Sequence, residues 1–232
     1  FHIFAGSQVL SPEGIVHHLR GAFDQAMRAA EVLGLAPEVL NLGGGFGTPY
    51  GPEDQELDLT PVAEALRTLQ GRAGSARLML ELGRYLVAPA GWYLTTVIAR
   101  QTHGGRPAVV VDGGTHQRGD MCGLGLRTRS YAPVVLAERN APPSATDVLG
   151  CLSLPGDVLA EAAVLPPLGL GDVLAFPNAG AYGLGASPFS FHGHPAPAEV
   201  AFTGTRIEPL RPRQPVRDVL RGQALLRQTR HD

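Results

Sequence analysis

Apolar residues recur at helical spacing just after Ser11-Pro12-Glu13, where Ile15, Val16, Leu19, Phe23, Met27 and Ala30 fall on one stripe. Serine ahead of proline supplies an N-cap and then a residue whose missing N–H costs nothing in the first turn, so a helix is predicted to start there. A second stripe, Val62, Ala65, Leu66 and Leu69, follows Thr60-Pro61 and predicts another helix. Short apolar runs alternate with these stripes. One ends at Ala5-Gly6-Ser7, one covers 39–42 and ends in Gly43-Gly44-Gly45, and one covers 77–80 and ends at Glu81. Strand, helix, strand, helix, strand implies parallel strands, because each helical crossover returns the chain to the same starting edge.

Beyond Trp92 the pattern changes. Apolar and β-branched runs at 93–99, 107–111, 133–137, 172–176 and 199–202 are separated by Gly and Pro turns, with no long helical stripe between them. This predicts an antiparallel β-domain. A last helix is expected over 216–226, docking through Val219, Leu220, Ala224 and Leu226. The expected division is residues 1–90 as an α/β unit and 91–232 as a β-domain with a C-terminal helix.

Composition narrows the function classes. At 232 residues and 44% hydrophobic content the chain can bury a sizeable core. No apolar run reaches the roughly 18 to 20 residues of a membrane span, and the opening Phe1-His2-Ile3-Phe4 lacks the basic region of a secretory signal, which points to the cytoplasm. A net charge of −2 gives no footing for a nucleic-acid partner. Two cysteines, Cys122 and Cys151, exclude a disulfide framework and a four-cysteine metal site. All 19 basic residues are arginine. Arginine binds anions bidentately but cannot form a Schiff base, so any lysine-dependent chemistry must draw its lysine from outside these residues. The chain opens with Phe1, inside what reads as a strand, so a preceding segment is expected.

In parallel α/β units the ligand site lies at the carboxyl ends of the strands. Three such ends carry Ser7, the glycines 43–45, and Glu81 followed by Arg84. Adjacent glycines let another group come close to the main chain; converging amides favour a phosphate, while a tight turn would use the same residues. Glu81 would repel a phosphate and must serve another part of the ligand. A ligand with a phosphate at one end and a basic nitrogen at the other meets both demands.

At this point the chain resembles the fold type III pyridoxal-phosphate decarboxylases, the group of the diaminopimelate and ornithine enzymes. Its HIFAGSQ, NLGGGF, ELGRYLVAPAG, GCLSLPGD and NAGAYG follow that family's motifs in order over nearly the whole length. The segment NAGAYGLGASPFSFHGHPAPAEV is most similar to the branch acting on carrier-protein-linked or unusual amino acids. The resemblance implies the C-terminal part of a (β/α)8 barrel followed by an antiparallel β-domain, with pyridoxal 5'-phosphate as cofactor and an amino acid, free or carrier-linked, as substrate. It implies a homodimer with shared active sites, and a Schiff-base lysine in the preceding part of the barrel, so that the chain alone is inactive. Ser7 and the amides of Gly43, Gly44 and Gly45 would bind the phosphate, with Arg84 and the hydroxyl of Tyr182 assisting. Glu81 would face the pyridine nitrogen, and Phe4 would stack on the ring where the family has histidine.

The family's catalytic cysteine aligns with Ser153, and Cys151 takes the place of its proline. Either Cys151 reaches in as the proton donor, or Ser153 orders a water, or the proton step has been lost; the first is possible if 151 and 153 share one face of a strand. The rival reading is a non-catalytic homologue acting as a binding or regulatory partner. His116, Arg118 and Asp120 are substrate-side candidates by position, although that segment reads as a solvated loop. His192 and His194 read as a polar loop, and no metal site is expected.

Overall fold

The computed structural model describes residues 1–51, 53–121 and 133–223. Helix α1 (Pro12–Leu33) begins where Ser11 predicts, with the Gly14 N–H donating to Ser11 Oγ at 3.1 Å. It ends at Gly34, whose φ of 65° lets the chain turn out of the helix. Strands β1 (Val39–Gly44) and β2 (Arg77–Glu81) flank α2 (Thr60–Arg72) and pair in parallel, with Val39 opposite Arg77 and Gly44 opposite Glu81. The expected opening strand is reduced to two single-residue parallel bridges, His2 with Asn41 and Val9 with Phe46. Between them Gln8 has φ 57°, a conformation that interrupts a strand.

Helix α1 buries Ile15, Leu19, Phe23 and Ala26 in one cluster with Leu40 and Leu42 of β1 and Val62 and Leu69 of α2. Each large apolar side chain of this kind contributes about 1.5–3 kcal/mol when withdrawn from water. This cluster holds β1 and β2 in place beneath the helices. Among the described residues, the first ninety supply these two paired strands and two long helices, not a closed barrel.

After the short helix α3 (Arg84–Val87) the chain builds a six-stranded sheet. Its members are β3 (Tyr93–His103), β4 (Arg106–Val111), β5 (Val134–Val135), β6 (Ser144–Leu149), β7 (Val158–Leu165) and β8 (Val173–Phe176). The order is β5-β8-β3-β4-β6-β7. All neighbours are antiparallel except β4 and β6, which run parallel. The sheet is therefore mixed rather than purely antiparallel: the long connection from β4 to β6 is a crossover that brings the chain back in the same direction. A separate hairpin joins β9 (Glu199–Phe202) to β10 (Ile207–Arg211). A second core, with Val97, Val109, Val148, Leu159, Leu174 and Phe176, lies on this sheet, and Tyr50 from the first part of the chain joins it.

In place of the expected C-terminal helix, Val216–Leu220 forms a 3-10 segment. Of the two described residues expected to dock, Val219 is half-buried and Leu220 is exposed, so the segment docks in part, and the rest of the expected helix beyond residue 223 lies outside the described residues. Among the described residues no helix is long and apolar enough to cross a membrane.

Candidate active site

The carboxyl ends of β1 and β2 open into a cleft of about 380 Å³ lined by Phe4, Ser7, Gly44, Gly45, Glu81, Arg84 and Tyr182, with Gln8 and Phe46 beside them. Seven of the eight residues expected around the cofactor thus converge. Gly43 does not line the cleft and is buried in the strand. Its N–H donates to the side-chain oxygen of Asn41 at 3.0 Å. Gln8 fixes the mouth by a two-point contact with Thr48, donating to its carbonyl at 2.5 Å and accepting from its N–H at 3.2 Å. That contact ties the Ser7 segment to the chain leaving the glycines.

The three glycines serve the neighbouring backbone before any ligand. A Cβ at Gly43 would lie 2.5 Å from the carbonyl oxygen of Ile3; at Gly44 it would strike the Glu81 carbonyl, and at Gly45 that of Gly6. Gly43 and Gly45 also have φ of 73° and 91°, in the left-handed region. The close approach expected of a ligand is made by the main chain on both sides, and this packing brings Ser7 and Glu81 to the glycine turn.

Glu81 accepts a hydrogen bond from Asn41 Nδ2 at 2.6 Å, and His2 Nε2 lies 3.4 Å from its other oxygen. Asn41 therefore spans two jobs, orienting the Glu81 carboxylate with one end and closing the glycine turn with the other. Its signal in the sequence is a side-chain amide inside a buried apolar strand, which must find partners. Arg84 is buried, donates to the Tyr50 hydroxyl at 2.6 Å, and lies over the rings of Tyr182 at 4.5 Å and Tyr50 at 5.3 Å. Burial raises the Tyr50 hydroxyl above the ordinary tyrosine value even against the Arg84 charge. Sequence reasoning missed Tyr50 because its connection to Arg84 exists only in the folded chain.

Cys151 and Ser153 lie apart from this cleft. They sit in bends rather than on a strand, so the alternation that would align them on one face does not apply. Ser153 is exposed, while Cys151 is half-buried and its N–H donates to the Gly113 carbonyl at 2.9 Å. Burial, followed by the charge of Asp157, pushes the Cys151 thiol up.

The segment 115–120, expected as a solvated loop, is buried: His116, Arg118 and Asp120 are 1%, 3% and 6% exposed. Arg118 donates to the Ala179 carbonyl at 2.6 Å and to Asp120 at 2.7 Å. The first of those bonds ties the segment to the chain just before Tyr182. His194, expected as part of a polar loop, lies against His116 with ring centroids 4.8 Å apart and the rings tilted by 36°. Together with Cys151 the two histidines place three ligand atoms within 4.8 Å of one another, a grouping the sequence separates by tens of residues.

The family model for the pyridoxal-dependent decarboxylase C-terminal sheet domain matches residues 12–180. A diaminopimelate decarboxylase of Methanothermobacter thermautotrophicus is 34% identical, over 96% of this chain and 52% of its own length. An L-glutamyl-[BtrI acyl-carrier protein] decarboxylase of Niallia circulans is 33% identical, over 86% of this chain and 49% of its own. Among solved structures, Helicobacter pylori diaminopimelate decarboxylase complexed with L-lysine superposes with a TM-score of 0.76 at 28% identity, over 95% of this chain and 52% of that one. The chain spans about half the length of the curated relatives it matches.

Proposed function

Since the chain belongs to the pyridoxal-dependent decarboxylases of the ornithine, diaminopimelate and arginine type, we propose that it supplies one face of an amino-acid decarboxylase active site, in which residues 1–90 are the last part of a (β/α)8 barrel and residues 91–232 the β-domain. The observation that carries this reading is the cleft itself, where anion ligands and one carboxylate face the same space. Its volume suits a small ligand, and its donor set suits pyridoxal phosphate: a hydroxyl, a glycine turn and a guanidinium for the phosphate, and a carboxylate for the ring nitrogen. Bound there, pyridoxal phosphate supplies a ring that accepts the electron pair released when carbon dioxide departs.

The chain's own residues do the rest. Ser7 and the main chain at Gly44 and Gly45 bind the phosphate, with Gly43 shaping the turn from beneath. Arg84, fixed by Tyr50, adds positive charge and holds the Tyr182 ring against the cleft. Glu81, oriented by Asn41, holds a proton on the ring nitrogen. Phe4 offers an exposed flat face to the ring and, unlike a histidine, moves no proton. The chain has no lysine, so the Schiff-base amine comes from outside these residues.

The exposed Ser153 is the residue offered to a second copy in a homodimer, where it orders the water that returns a proton to the substrate carbon. Cys151 remains turned toward its own histidines. Carbon dioxide release by the full-length protein, assayed with pyridoxal phosphate on diaminopimelate, free glutamate and carrier-protein-linked glutamate, tests the reading. One of these substrates should be turned over. Glu81→Gln should lower the rate by roughly 10²-fold, and Ser153→Ala should do so more than Cys151→Ala. Cofactor binding without carbon dioxide from any substrate would favour a non-catalytic homologue.

A further inference from the structure

The grouping of His116, Cys151 and His194 has no part in the decarboxylase site described above, and it is built too specifically for a polar loop. Strands β4 and β6 are parallel neighbours, so the segments that leave their carboxyl ends start side by side. His116 is on the first and Cys151 on the second, and the Cys151 N–H donates to Gly113 at 2.9 Å. Asp157 then ties the two segments together. Its Oδ1 accepts from the Thr115 N–H at 2.6 Å and the Thr115 hydroxyl at 2.7 Å, and its Oδ2 from the Leu152 N–H at 2.8 Å. Each tied residue is the chain neighbour of a proposed ligand. Glycine at 114 and 150 makes room for that carboxylate, since a Cβ at Gly150 would collide with it and one at Gly114 would lie 2.6 Å from both its oxygens.

His194 arrives from a third segment, just after the 3-10 turn Phe191–Gly193, and completes the group. His116 is 1% exposed and, among the described residues, its Nδ1 has no hydrogen-bond partner. A buried ring nitrogen normally has a partner, and a metal ion or a molecule held by one would supply it.

We propose that His116, Cys151 and His194 bind one divalent transition-metal ion of the zinc class, with a fourth coordination position open to water or an exogenous ligand. Two imidazoles and one thiolate form a borderline-soft set that selects zinc over magnesium or calcium, whose ligands are oxygens. Three protein ligands with one open position is the arrangement of zinc sites that bind a fourth, exchangeable group. The ligand atoms lie within 4.8 Å of one another; bonds of about 2.0–2.1 Å to nitrogen and about 2.3 Å to sulfur bring tetrahedral ligands to roughly 3.3–3.8 Å. Side-chain rotation that moves the ligand atoms by about 1–1.5 Å closes that difference. Binding converts the Cys151 thiol to a thiolate and releases its proton to solvent, and Asp157 supplies further negative charge behind the site. None of the three ligands lines the cleft of Glu81 and Arg84, so zinc binding can be read apart from cofactor binding.

The test uses full-length protein freed of metal by a chelator, then given zinc ion or cobalt(II) ion alone. One zinc per chain should survive gel filtration. The cobalt form should show thiolate-to-metal charge transfer in the near ultraviolet, retained in Cys122→Ser and lost in Cys151→Ser. His194→Ala should weaken zinc binding by more than the roughly 10–100-fold that loss of an outer-shell partner costs. Should Cys151→Ser fail to fold by circular dichroism, the Cys122→Ser protein, with Cys151 as the remaining thiol of this chain, gives the answer: zinc should slow alkylation of that thiol. Substoichiometric zinc, a charge-transfer band that persists in folded Cys151→Ser, or a thiol that zinc leaves unprotected would each overturn the proposal.

Discussion

Replacing Gly44 by alanine sets one methyl group against the backbone of the adjacent strand. The new Cβ would strike the Glu81 carbonyl oxygen and come within 2.8 Å of its carbon, in the register where Gly44 pairs with Glu81. Gly44 is outside the left-handed region, so the collision is separated from any conformational penalty. A main-chain carbonyl cannot swing aside as a side chain does, so β1 and β2 must part locally. Overpacking of this kind costs about 1–3 kcal/mol. With about 2–4 °C of midpoint per kcal/mol for a chain of this size, Tm should fall by roughly 2–12 °C.

Gly21→Ala is the matched control. It lies inside α1, a Cβ there meets nothing within 4 Å, and alanine in a helix interior should stabilise by about 0.5–1 kcal/mol. Thermal unfolding of both variants beside the parent, followed by circular dichroism in one buffer, checks the pair. Opposite signs are expected. A Gly44→Ala protein as stable as the parent would refute the claim that backbone approach, and not ligand access alone, demands this glycine.

Arg84→Met removes a buried charge that donates to Tyr50 and lies over Tyr182; it should cost about 1.5–3 kcal/mol in urea unfolding, and full-length protein should lose pyridoxal phosphate affinity as well. Burial raises the Asp147 carboxyl, but hydrogen bonds from the Ala162 N–H, His103 and Arg106 outweigh it and hold the group below the ordinary carboxylate range. The unfolded chain then binds more protons at Asp147 than the folded one, so its stabilisation is full above about pH 4 and is lost as pH falls through the folded value; Asp147→Asn should be less stable at pH 7 and should show a shallower loss of Tm below about pH 4.

The sequence disclosed those elements whose signals are local. Ser11-Pro12 fixed the start of α1, the Thr60-Pro61 stripe located α2, and the run ending at Glu81 became β2 with its end unchanged. Strand β7 was invisible for a physical reason. Val158–Leu165 reads VLAEAAVL, composed largely of helix-favouring residues, and becomes a strand because β6 offers it a paired edge. The candidate cleft was legible through Ser7, the glycine turn and Glu81, which stand where parallel topology places ligands, at or just beyond strand ends. Asn41, Tyr50 and the His116–Cys151–His194 group depend on contacts across the fold, and no spacing in the chain announces them.

Tyr182 shows how a residue from the β-domain comes to line a cleft made by β1 and β2. The segment that carries it is sewn to the chain leaving α3: the Ala179 N–H donates to Gly91 at 2.8 Å and the Gly180 N–H to Ala88 at 3.0 Å. Here too glycine permits the approach, since a Cβ on Gly180 would strike the Val87 carbonyl and one on Gly91 would strike the Gly180 N–H. Asn178 adds a bond to the Pro49 carbonyl at 2.7 Å, and Arg118 holds Ala179 from the other side. With both flanks of the seam fixed, Tyr182 adopts φ 48° and its ring reaches Arg84. A left-handed tyrosine costs about 1–3 kcal/mol and persists only where the surrounding structure holds it, as the bonds at Asn178, Ala179 and Gly180 just before it do. The cleft is thus a property of the junction between the two parts of the chain: β2 supplies the carboxylate, the residues after it supply the guanidinium, and the seam delivers the ring that Arg84 holds.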